Sequence, residues 1–142
     1  MKKLYVVGNK ASKSLSPTIF NYWFKKYNIK ASYGYLELTK KNFHKKIKEV
    51  LEKKDTLGLN VTIPFKNKII KHLGKIDAHA KKIGAVNCVT NKKTINGTNT
   101  DWTGYYKTLP NIKQTKNRKV IILGYGGASH AIHYVLKKRG FK

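Results

Sequence analysis

Residues 58–66 read GLNVTIPFK. The segment from Thr56 to Ile63 has the apolar character of a strand, and Pro64 stops it because proline lacks the amide a central strand uses. Alternate side chains of a strand face opposite sides. Leu59, Val61 and Ile63 therefore share one face, and Asn60 and Thr62 share the other. Two hydrogen-bonding side chains project together beside Lys66, which is held just past the strand end. That suits a small polyhydroxy ligand at the carboxyl end of a sheet, where open α/β folds bind ligands. A simpler reading stands beside it: an edge strand with one wet face, followed by an ordinary surface lysine.

Strands and helices alternate on both sides of this segment, which predicts an α/β fold with a mainly parallel sheet. Before it come a strand at Leu4–Val7, a helix opened by Ser16 as N-cap and Pro17, and a strand at Tyr33–Leu38. The first helix carries Ile19, Phe20, Trp23, Phe24 and Tyr27 at helical spacing. A second helix, capped by Thr39, has Phe43, Ile47, Val50 and Leu51 as its buried stripe. After Pro64 the pattern predicts helical stretches at 65–72 and 77–83, a strand at Val86–Thr90 and a turn at Asn96–Gly97. A helix at Trp102–Leu109 follows. The polar residues 110–118 are expected to link a first domain, 1–109, to a second unit, 119–142. That unit begins with a strand at Lys119–Leu123 and continues into a helix from Ala128 to Arg139, with Gly140 placed to end it.

The chain has 142 residues, 40% of them hydrophobic, enough for one domain with a proper core. No apolar run approaches the roughly 20 residues of a membrane span. The first apolar run stops at Gly8, too soon for a signal peptide, so a cytoplasmic location is expected. The single cysteine, Cys88, excludes an intrachain disulfide framework. The formal charge is +25, and 31 residues are basic. Only Arg118 and Arg139 are arginine, and the lysines are spread along the whole chain. Readers of nucleic acids favour the bidentate fork of arginine. A solvated, lysine-rich surface that attracts anionic ligands is therefore preferred to a nucleic-acid-binding module.

Three further segments carry potential chemistry. SKSLSP, residues 12–17, puts the hydroxyls of Ser14 and Ser16 at the mouth of a helix, where free amides and the helix dipole favour an anion such as a carboxylate. TNTDW, residues 98–102, holds Asp101, one of only six acidic residues. An aspartate there is commonly a helix cap; paired with a lysine it forms an acid–base unit instead. GYGGAS, residues 124–129, follows an apolar strand and opens a helix, the context of a dinucleotide-binding turn. Its spacing departs from G-x-G-x-x-G, yet Gly124, Gly126, Gly127 and Ala128 still allow backbone amides close to a pyrophosphate. The five histidines form no metal-ligand grouping with cysteines or carboxylates.

Taken in order, these segments resemble the shikimate dehydrogenase family over the whole chain. Gly8 with SKSLSP and Asn21, the block Asn60–Lys66, the block Gly84–Cys88, the block Asn99–Gly104 and the loop Gly124–Ala131 match five family blocks. Cys88 stands where threonine or serine is usual, and Lys13 replaces a frequent histidine. The resemblance implies that Ser14 and Ser16 hold a substrate carboxylate, while Asn60, Thr62, Asn87 and Asp101 hold ring hydroxyls. It implies Lys66 and Asp101 as the catalytic pair, and the glycine turn as the start of a Rossmann NADP-binding domain. The implied reaction is reversible, NADPH-dependent reduction of 3-dehydroshikimate to shikimate in the chorismate and aromatic amino-acid pathway, without a metal. Quinate/shikimate dehydrogenase is the alternative within the fold. The implied partner is the small-molecule substrate, with a homodimer as the association to consider. By the same resemblance the chain ends inside its cofactor domain, and these residues alone are expected to be inactive.

Overall fold

The computed structural model describes residues 1–109 and 118–142. All of the expected linker except Arg118 lies outside the described residues. The chain forms β1 (Lys2–Gly8), α1 (Ser16–Lys26), β2 (Ala31–Glu37), α2 (Phe43–Leu51), β3 (Thr56–Val61), β4 (Lys75–Ile76) and α3 (Ala78–Ile83). Then come β5 (Cys88–Asn91), β6 (Ile95–Thr98), α4 (Asp101–Thr108) and α5 (Gly127–Lys138). The strands make one sheet in the order β2-β1-β3-β5-β6-β4. β1 runs parallel to β2 and β3, and β4 parallel to β6, while β5 is antiparallel to β3 and β6. This is the α/β fold with a mainly parallel sheet that the alternation predicts. No helix among the described residues is long and apolar enough to cross a membrane.

The register divides the sheet into a dry and a wet face. Val7 lies beside Val61, and Leu59 beside Val89. These side chains form the main core with Phe43, Ile47, Val50 and Leu51, the stripe expected of α2. Phe43 stacks on Phe65 with ring centroids 4.2 Å apart, and both are fully buried. On the other face Leu4 lies beside Tyr33, Val6 beside Asn60, and Asn60 beside Cys88. Helix α1 covers only part of that face. Phe20 and Phe24 pack on Val6, Ala11 and Tyr33, whereas Ile19, Trp23 and Tyr27 stay largely exposed. The five-residue stripe expected of α1 is thus narrower than its spacing suggests.

Other expectations fail for local reasons. Ser16 is the first residue of α1 rather than its N-cap, and its amide donates to the Ser14 hydroxyl at 3.2 Å. Asn42 precedes α2, and Thr39 bonds to Asn42 in a reciprocal turn instead of capping the helix directly. The stretch after Pro64 is a short 3-10 helix, Lys68–His72. Asn96–Gly97 is not a turn but part of β6, and the chain reverses at 92–94. Glycine is favoured at 97 because a Cβ there would crowd the Leu73 and Val86 side chains. Lys119–Leu123 is not assigned as a strand. Lys142 nevertheless donates to the Arg118 carbonyl and accepts from the Val120 amide, both at 3.1 Å, the pattern of one rung of a parallel pair. Gly140, at φ +83°, follows α5 as expected.

Each of the six carboxylates has a defined partner. Asp77 caps α3 by accepting from the amides of His79 and Ala80, at 2.8 and 3.1 Å. Glu37 takes the amide and hydroxyl of Ser12. Asp55 pairs with Lys3, Glu49 with Lys46 and Glu52 with Lys48. Asp101 pairs with Lys66.

Two stability outcomes follow from this packing. Phe43→Ala removes half of the stacked pair from a sealed site and should cost about 3–5 kcal/mol, read as a lowered urea midpoint. His72 lies with its Nε2 2.9 Å from the Nδ1 of His44. Burial first, and His44 second, hold His72 below its ordinary value of 6.5. The unfolded chain therefore takes up a proton that the folded chain resists. This contribution is intact above about pH 6.5 and is lost as pH falls through the lower folded value. Thermal melts between pH 7 and 5 should show a smaller acid-induced loss in His72→Gln than in the wild-type chain.

Candidate active site

The wet face of β3 ends in a cavity of about 510 Å³. Asn60 and Thr62 line it from β3 and its exit, Ser14 and Ser16 from the mouth of α1, and Asn87 from the segment before β5. Strand parity thus puts Asn60 and Thr62 where the alternation required. Lys10 and Lys13 add positive charge at the rim beside the serines. The short 3-10 turn Ala11–Lys13 is held inward by fully buried Ala11 and outward by the Ser12–Glu37 contacts. This turn sets the position of Ser14. A hydroxyl that accepts from the Ser16 amide keeps its own proton for an anion.

Lys66 and Asp101 come together although 35 positions separate them. The Lys66 ammonium donates to Asp101 Oδ2 at 2.7 Å, and the two side chains are 14% and 28% exposed. Asp101 is the first residue of α4, not its cap, so its carboxylate is available to the lysine. The capping falls to Asn99, which is buried and accepts from the amides of Asp101 and Trp102 while donating to the Ala85 carbonyl. Asn87 donates to the other oxygen of Asp101 at 2.8 Å and to the Thr100 hydroxyl at 2.9 Å. Its own oxygen accepts the Thr100 amide at 2.8 Å. Asn87 lines the cavity and touches Asp101, so it connects the cavity to the charged pair. Asn99 and Thr100 were not singled out in the sequence, because their role is to position backbone and neighbours. The polar run TNTD and the matched block Asn99–Gly104 are the signals that cover them.

The glycine turn meets the same lysine. Gly124 has φ +115°, and a Cβ at Gly124 or Gly126 would meet open space. Gly127 differs: a Cβ there would lie 2.8 Å from Lys66 Cβ. Helix α5 therefore starts directly against the catalytic lysine candidate. Among the described residues no side chain caps its N-terminus, and its first-turn amides suit a phosphate group. Gly124, Gly126, Gly127 and Ala128 thus fit the phosphates of a dinucleotide. The rest of α5 is fastened beside α3 and α4: Ala131 and Tyr134 pack with Ile83, Ala85 and Trp102. Among the described residues no three His, Cys, Asp or Glu side chains gather as a metal ion would need.

A family model described as the shikimate dehydrogenase substrate binding domain matches residues 6–89. The chain belongs to the shikimate dehydrogenase family. It is 42% identical over 139 residues to the shikimate dehydrogenase (NADP(+)) of Staphylococcus aureus strain Newman, covering 96% of this chain and 51% of that protein. The crystal structure of shikimate dehydrogenase from Aquifex aeolicus superimposes with a TM-score of 0.87 at 35% identity, over 100% of this chain and 54% of that one. The enzyme from Listeria monocytogenes, solved in complex with shikimate and NAD, gives 0.81 at 31% identity, over 100% and 50%. The chain spans about half the length of the curated relatives it matches.

The contact between α5 and Lys66 yields a direct outcome. Gly127→Ala inserts a methyl group against the Lys66 stem and should destabilise the chain by about 1–3 kcal/mol, the usual range for overpacking. Chemical denaturation measures the loss, and NMR of the Lys66 ammonium should show its bond to Asp101 disturbed. Gly126→Ala, facing open space, should leave that signal in place.

Proposed function

We propose that residues 1–109 form the substrate-binding domain of a shikimate dehydrogenase, and that 119–142 begin its Rossmann dinucleotide-binding domain. The complete protein would interconvert 3-dehydroshikimate and shikimate. The observation that carries this reading is the 2.7 Å Lys66–Asp101 bond, set between a hydroxyl-lined cavity and the glycine turn that opens α5. The cofactor is proposed as NADP(H), after the name of the S. aureus relative. When bound, it supplies or accepts the hydride.

The protein's own residues divide the remaining work. Ser14 and Ser16 hold the carboxylate by their hydroxyls and the start of α1. Asn60, Thr62 and Asn87 fix the ring hydroxyls, and Asp101 accepts from the hydroxyl next to the reacting carbon. On reduction the Lys66 ammonium gives its proton to the carbonyl oxygen as it becomes a hydroxyl; on oxidation the amine takes that proton back. Asp101 keeps the ammonium aimed and balances its charge. The lysine-rich surface attracts the anionic substrate and cofactor over a distance that salt shortens.

Calorimetric titration of shikimate into the 142-residue chain tests the site. In a version completed with the remaining cofactor domain, Lys66→Ala should lower kcat by about 100-fold or more while KM changes little. An unchanged kcat would remove Lys66 from the proton-transfer role.

A further inference from the structure

Tyr33 lies mid-way along β2, and nothing in the sequence marks it. Its side chain is only 3% exposed, and Phe20 lies flat over the ring at 4.6 Å with an interplanar angle of 8°. Asn21 clamps its backbone from α1, accepting from the Tyr33 amide at 2.9 Å and donating to its carbonyl at 2.8 Å. The hydroxyl donates to Asn60 Oδ1 at 2.6 Å. Ring, backbone and hydroxyl are therefore each held by a separate contact.

Burial pushes the Tyr33 phenol up to about 12; Cys88 adds to the rise, and a hydrogen bond from the Ser16 side chain opposes it. The phenol thus keeps its proton at neutral pH. A buried phenol hydrogen needs an acceptor, because leaving it unpaired costs about 1–3 kcal/mol. The acceptor for the hydrogen is the Asn60 side-chain carbonyl. An asparagine amide has one acceptor oxygen and two N–H donors. The oxygen spends one of its two lone pairs on Tyr33 and is held turned toward the phenol, while both N–H donors stay unspent for a ligand.

We infer that Tyr33 is a positioning residue that locks the orientation of the Asn60 carboxamide, so that Asn60 meets the ligand as a hydrogen-bond donor. The ligand atom bound there must then be an acceptor, such as a hydroxyl or carbonyl oxygen. This deepens the function proposed above and rests on it for the identity of the ligand.

The test uses the 142-residue chain, with backbone NMR spectra to confirm that each variant folds. Tyr33→Phe keeps the ring and should weaken shikimate binding about tenfold. Asn60→Asp still accepts from Tyr33 but lacks the donors, and should weaken binding at least as much. Combined with Asn60→Ala, Tyr33→Phe should cause no further loss, because its effect passes through Asn60. Additive losses, or an unchanged affinity in Tyr33→Phe, would overturn the inference. If the wild-type chain does not bind shikimate, the proposed function fails by itself. The side-chain amide signals of Asn60 in the free chain then decide the matter: a shift in Tyr33→Phe supports the lock, and unmoved signals overturn it.

Discussion

The Val86 amide donates to the Lys66 carbonyl at 2.7 Å, and this bond fixes the path by which the chain leaves β3. It ties the residue that ends GLNVTIPFK to a segment some twenty positions later. Ala85 and Val86 are fully buried there, and Asn99 in turn bonds the Ala85 carbonyl. Three chain segments are thus joined, by one backbone bond and by the Asn99 side-chain amide, before any reactive side chain is placed. Lys66, Asn87 and Asp101 each leave this junction within one residue of a fixed backbone bond. Buried backbone groups must be paired, and here their pairing also sets the geometry of the site.

What was legible in the sequence follows from the range of the forces involved. The stripe of α2 was readable because Phe43, Ile47, Val50 and Leu51 all meet one core. Asn60 and Thr62 were readable because strand parity admits no intermediate orientation. Asn96–Gly97 misled because that dipeptide favours turns locally, while the need for glycine came from Leu73 and Val86, far along the chain. The α1 stripe misled because spacing reports which residues share a helix face, not how wide a surface awaits them. Lys66 and Asp101 read alone as a surface lysine and a helix cap. Ordered blocks of family resemblance suggested the pair, and the structure brings the two side chains together.

Helix α5 is fastened to α3 and α4 by aromatic packing. His79 stacks on Trp102 at 4.3 Å and bonds the Tyr134 hydroxyl at 2.7 Å. Lys138 lies over Trp102 at 5.2 Å, and Arg139 over Tyr106 at 4.3 Å. Cations over rings add to such a contact once water is excluded. The start of α5, with its glycine turn, is therefore held by α3 and α4 and lies against Lys66. Placing the reacting groups in a fixed relation is itself a large part of what an enzyme supplies.

The commitment of every carboxylate to a local task leaves most of the positive charge unanswered. Three carboxylates hold a turn, a helix start or the site, and three pair with neighbouring lysines. None is left to offset the remaining cations. Folding therefore gathers like charges into a smaller volume, against their mutual repulsion. The Debye length falls from about 30 Å at 0.01 M salt to about 10 Å at 0.1 M. In osmotic terms the chain is a polycation that condenses against its own counterion pressure, which dissolved salt relieves by screening.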